Sequence, residues 1–119
     1  MGTFQVEIEI GDPQGKRWKQ VAGTVGTRAT FAWAPRSVLE ELGVQVEKRV
    51  SLRHPDGRLI KRDVGQTWLR IGDKAGVGTV VFGETRDPVL IGSDTLQNML
   101  LKADIEKEKL VPTAGLIES

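Results

Sequence analysis

The sequence predicts a mainly β domain assembled from hairpins, with two short helices, and three observations lead there. Apolar and polar residues alternate in several short runs, the period of a half-buried strand. Fourteen glycines fall mostly between those runs, where tight turns are needed. Only two stretches carry apolar residues at helical spacing, and both are brief.

The first strand is read from Phe4, Val6, Ile8 and Ile10, which alternate with Gln5, Glu7 and Glu9. Asp12-Pro13-Gln14-Gly15 has the residue order of a type I turn, with proline presetting φ at the second position. Trp18, Val21, Gly23 and Val25 form the return strand, and the phase slip between Trp18 and Val21 predicts a bulge. Pro35 to Leu42 is expected to be helical. Val38, Leu39 and Leu42 share a face, Ser37 and Glu40 have capping-box spacing, and Gly43 stops the helix. The alternation from Val46 to Leu52, then Asp56-Gly57, then Arg58 to Val64 predicts a hairpin whose tip projects into solvent. A separate strand is expected from Trp68 to Ile71, a turn at Gly72 to Gly76, and a doubly buried strand at Val77 to Phe82. Val89-Leu90-Ile91-Gly92 reads as a short buried strand. A second helix is expected from Ser93 to Leu101 with Ser93 or Asp94 as cap, and Leu110 to Pro112 as an edge strand.

Composition narrows the function. One domain, residues 1–119, is long enough to bury a core without staples. A net charge of +1 argues against a dedicated nucleic-acid binder. With no Cys and a single His, neither a disulfide framework nor an ordinary zinc site is expected, and no cofactor is implied. No apolar run is long enough to span a membrane, and residues 1–4 lack the features of a signal peptide, so a cytoplasmic location is expected. Trp18, Trp33 and Trp68 are expected in the core or at an interface, with Trp33 nearest the turn that follows Val25. Lys102 to Lys109 reads as a solvated mixed-charge face.

That turn, Val25-Gly26-Thr27-Arg28-Ala29-Thr30, followed by the first helix, resembles the active-site turn of the retropepsin-like aspartic proteases. Their signature runs apolar-Asp-Thr-Gly-Ala. Gly78-Thr79-Val80-Val81-Phe82-Gly83 and Val89-Leu90-Ile91-Gly92-Ser93-Asp94 are similar to the family's second block. The order of parts is similar from Phe4 to Val111, most of all to the stand-alone microbial members. The resemblance implies an acid-protease barrel of hairpins and a symmetric homodimer with a cleft on its axis, where an extended peptide would sit. By the same resemblance, His54, Asp56, Gly57 and Arg58 form the flap tip, and Trp33, Ile91 and Gly92 lie beside the cleft. Where the family has an arginine before that second helix, this chain has Ser93.

The chemistry departs from the family. An aspartic protease shares one proton between two carboxylates, one from each half. Here Gly26 stands at the aspartate position and Arg28 at the glycine position. Thr27 and Ala29 supply no acid or base, and a guanidinium does not deprotonate in a useful range. The chain is therefore expected to be inactive as written, serving as a dimerising or peptide-binding module. Two alternatives stand beside this: a homodimeric endopeptidase whose aspartate is altered in this copy, and an unrelated small β-barrel binding an anion at Arg28. On sequence grounds, placing Asp at position 26 and Gly at position 28 should create peptidase activity in acid.

Overall fold

The computed structural model describes residues 2–26 and 28–115. Strands β1 (Phe4–Gly11) and β2 (Trp18–Val25) pair antiparallel. Between them Gly15 N–H donates to the Asp12 carbonyl at 3.0 Å. The buried Asp12 carboxylate accepts the N–H groups of Lys16 and Arg17, which fixes the turn. The expected bulge is absent, because the register runs unbroken from Phe4↔Val25 to Gly11↔Trp18. Trp18 breaks the apolar phase for another reason. It lies on the face opposite Ile8 and Ile10, with the Arg70 guanidinium 3.8 Å above its ring.

Strand β3 (Ala32–Pro35) runs into α1 (Arg36–Glu41). Pro35 is the residue flanking the helix, and no side chain caps it, so the Ser37/Glu40 capping box does not form. Leu39 and Leu42 are buried as expected, and Gly43 takes φ +77° to end the helix. Strands β4 (Lys48–Arg53) and β5 (Leu59–Ile71) make the long hairpin, with Val46 left exposed outside it. β5 is one strand of 13 residues where two were expected. Gly65 does not interrupt it; a side chain there would strike the Gln45 carbonyl, so the position serves a close backbone approach.

Strand β6 (Lys74–Gly83) pairs with β5 and, in parallel, with β3. Helix α2 (Ser93–Asn98) is shorter than predicted. Leu100 adopts φ +55°, and Leu101, expected as helix end, opens strand β7 (Leu101–Asp104), which pairs with β8 (Lys109–Pro112). The main sheet runs β2-β1-β5-β6-β3, with β4 attached to β5. It does not close into a barrel. Its two ends meet only through isolated bridges of Leu90 to Thr24 and Trp33. The core lies on one face of the sheet, built from Ile8, Ile10, Val25, Leu39, Leu69, Val80, Phe82 and Ile91. No helix among the described residues is long and apolar enough to cross a membrane.

Candidate functional site

The turn after β2 is held by backbone from a distant part of the chain. Before the turn, Thr24 donates to the Val89 carbonyl and accepts from Ile91 N–H, both at 3.0 Å. After it, Trp33 and Leu90 exchange hydrogen bonds of 2.9 and 3.2 Å. Residues 89–91 are thus clamped between the strands that enter and leave the turn. The turn's own carbonyls then meet the start of α2: Ser93 N–H donates to Ala29 and Asp94 N–H to Thr30, each at 2.9 Å. These bonds satisfy amides that every helix start leaves open, so α2 has no side-chain cap, contrary to the role expected for Ser93 or Asp94. Gly92 is needed for this contact, because a Cβ there would land on the carbonyls of Thr30 and Phe31. Ile91, 2% exposed, fills the core beneath.

Position 26 is shaped for glycine. Gly26 has φ +95°, a region that side chains with a Cβ avoid. A Cβ built there would fall on the carbonyl oxygen of Gly2 and lie 3.2 Å from Cδ1 of Ile105. An aspartate therefore cannot be placed there without moving the backbone of residues 2–3, which leads into β1. The expected pair of changes, Asp at 26 and Gly at 28, thus meets a steric obstacle at position 26. Thr27 lies outside the described residues. Arg28 is exposed and makes no ion pair among the described residues, and Ala29 is half-buried.

A second apolar row crosses the sheet on the face away from the core. Residues directly opposite in a ladder share a face. The register therefore lines up Lys48, Val64, Val81 and Trp33 across β4, β5, β6 and β3. Val64 and Val81 are buried, yet neither belongs to the main cluster; Trp33 is half-buried. Further along the β4–β5 arm, the same face carries half-buried Val50, Leu52 and Ile60. Arg62, also on that face, makes a two-pronged contact with Asp87, 2.7 and 3.2 Å. This hydrogen bonding holds the Asp87 carboxyl below its ordinary pKa. The pair ties the arm to the turn after β6, where Asp87 also accepts the Glu84 N–H.

The hairpin tip is a self-contained turn. Asp56 accepts from Arg58 N–H at 2.9 Å and Nε at 2.7 Å, and Gly57 takes φ +93°. His54 Nδ1 lies 3.1 Å from Asp56 Oδ1. No hydrogen bond or ion pair among the described residues joins His54, Asp56, Gly57 or Arg58 to the Gly26 turn or to Trp33. A shallow concavity of about 610 Å³ lies elsewhere, between β1 and the β7–β8 hairpin, bordered by Glu7, Glu9, Arg70 and Lys109. Among the described residues no group of His, Asp and Glu is arranged to hold a metal.

Two parts of the site were not legible in the sequence. Nothing in a Gly-Thr dipeptide near the N-terminus signals that its carbonyl covers position 26. The Arg62–Asp87 pair joins residues 25 apart in the chain, with no periodicity to announce it. Val81 did carry a signal, since an uninterrupted apolar run implies burial on both faces. No protein-family model matches the chain, and no curated protein matches it.

Proposed function

We propose that this chain is a non-catalytic relative of the retropepsin-like aspartic proteases that binds an extended peptide as a homodimer. The observation that carries the reading is the turn at positions 26–30. It is cradled by residues 89–94 as a protease turn would be, it offers no carboxylate, and the Gly2 carbonyl fills the space an aspartate would need. That steric fit weighs against the alternative of an active peptidase altered in this copy alone. The peptide-binding part is supported by half-buried Trp33, Val50, Leu52 and Ile60, which share the sheet face away from the main core, with Val64 and Val81 buried between them. A peptide on that face would meet the half-buried side chains of Trp33, Val50, Leu52 and Ile60, and no proton shuttle.

Sedimentation equilibrium combined with a peptide-library cleavage assay between about pH 4 and 7 tests this reading, a window set by the pH range of shared-proton carboxylate pairs. The expected result is a dimer that cleaves nothing. Peptide hydrolysis that survives rigorous repurification, or a strict monomer, would overturn it. The anion-binding alternative draws on the exposed Arg28, which has no ion pair among the described residues. It requires saturable binding of inorganic phosphate that Arg28→Ala removes.

A further inference from the structure

The β4–β5 arm carries a charge the rest of the chain does not. Residues 48–62 contain six Lys or Arg and one carboxylate, a formal +5, leaving −4 for the remainder of a chain of net +1. Part of that charge is neutralised: Arg49 by Asp63, Arg58 by Asp56 and Arg62 by Asp87. Lys48, Arg53 and Lys61 make no ion pair among the described residues; Arg53 donates only to the Gly57 carbonyl, at 2.9 Å.

β4 is also an edge. Among the described residues it pairs with β5 and with no other strand. His54 N–H donates to the Arg58 carbonyl, which makes 54↔58 a hydrogen-bonded pair in the same register as 52↔60 and 50↔62. Such pairs alternate along an antiparallel ladder. The main-chain groups of Arg49, Ser51 and Arg53 therefore point away from β5, with no strand beside them among the described residues. Their side chains lie on the exposed face with Lys61, while Val50 and Leu52 lie on the apolar face. Edge cations commonly keep a sheet from pairing with copies of itself. The same cations make the edge selective for a strand of opposite charge.

We propose that the free edge of β4 is a docking site for an extended acidic segment of another protein, in which carboxylates alternate with aliphatic residues. Added antiparallel or parallel to β4, such a strand completes the bonds of Arg49, Ser51 and Arg53. Its acidic side chains fall beside Arg53 and Lys61, and its aliphatic ones continue the surface of Val50 and Leu52. The inference rests on the peptide-binding reading above and names the class of peptide. The arm has no Phe, Tyr or Trp to form a run of stacking platforms, and its aliphatic face of Val50, Leu52 and Ile60 suits a peptide better than a single-stranded nucleic acid.

The test uses the full chain, isotope-labelled, titrated with blocked five-residue peptides of alternating Glu and Val, and separately of alternating Lys and Val. The expected result is amide shifts at Arg49, Ser51 and Arg53 with the acidic peptide only, weakening as salt is raised to about 0.15 M. Ser51→Pro removes one outward N–H and leaves the β4–β5 bonds intact, so binding should fall about tenfold. Arg53→Glu with Lys61→Glu, a second variant that does not touch the backbone, should exchange the preference toward the lysine peptide. Shifts confined to Trp33 and the β6 residues beside it, with none in β4, would overturn the edge site and leave binding on the apolar face standing. No response to either peptide would overturn both. Equal binding of the two peptides would overturn the charge argument. A single-stranded oligonucleotide that displaces the acidic peptide would make the arm a phosphate-binding surface, again contradicting the proposal.

Discussion

Gly26 and Gly57 have nearly the same φ, +95° and +93°, but very different surroundings. Nothing lies near the Cβ position of Gly57, whereas at Gly26 the Gly2 carbonyl occupies it. Gly57→Ala should therefore cost only the backbone strain, about 1 kcal/mol. Gly26→Ala should cost that strain and a backbone displacement as well, at least about 2 kcal/mol more. Urea unfolding of the two variants measures the difference, and equal costs would mean that the Gly2 contact carries no weight. The comparison matters for function because the same displacement stands between this chain and any catalytic aspartate.

At the scale of elements, ion pairs join pieces that the sequence leaves unconnected. Arg36 at the start of α1 donates to Asp63 of β5 at 2.6 Å and to Glu84 beyond β6 at 3.2 Å, while its guanidinium lies 5.1 Å from the Phe82 ring centre. Hydrogen bonds from Arg36 and then Arg49 hold the Asp63 carboxyl below its usual pKa, and Arg62 does the same for Asp87. A carboxyl depressed in the folded state stabilises fully above its unfolded pKa of about 3.9 and loses that contribution as pH falls toward the folded value. The urea midpoint should accordingly hold steady from neutrality to about pH 5 and decline below about pH 4. Asp63→Asn combined with Asp87→Asn should flatten that decline, and an unchanged acid limb in the variant would contradict the assignment. Strands with strict alternation, such as Phe4 to Ile10, were readable because their period is local. The end of α2 was not, since Met99 and Leu100 continue a helical pattern while the chain turns at Leu100 to build β7. The single long β5 was missed for a similar reason: Gly65 looks like a break until the Gln45 carbonyl is seen against it.

For the whole molecule, the sheet leaves one face to the core and part of the other to a smaller apolar row, with a cationic arm extending beyond both. The order of strands and helices was largely legible because turns and periodicities mark it. The proposed dimer rests on resemblance alone, since a surface that meets its own copy needs no pattern within one chain. If two copies join at the cradled turn, residue 28 of one protomer lies near residue 28 of its partner on the two-fold axis. The chain has no cysteine, so Arg28→Cys accepts a single spin label at an exposed position. Pulsed electron paramagnetic resonance then reads the label-to-label distance directly. The account predicts a dimer with a separation well below the 38 Å long dimension of one protomer. A monomer, or labels separated by more than that length, would contradict it.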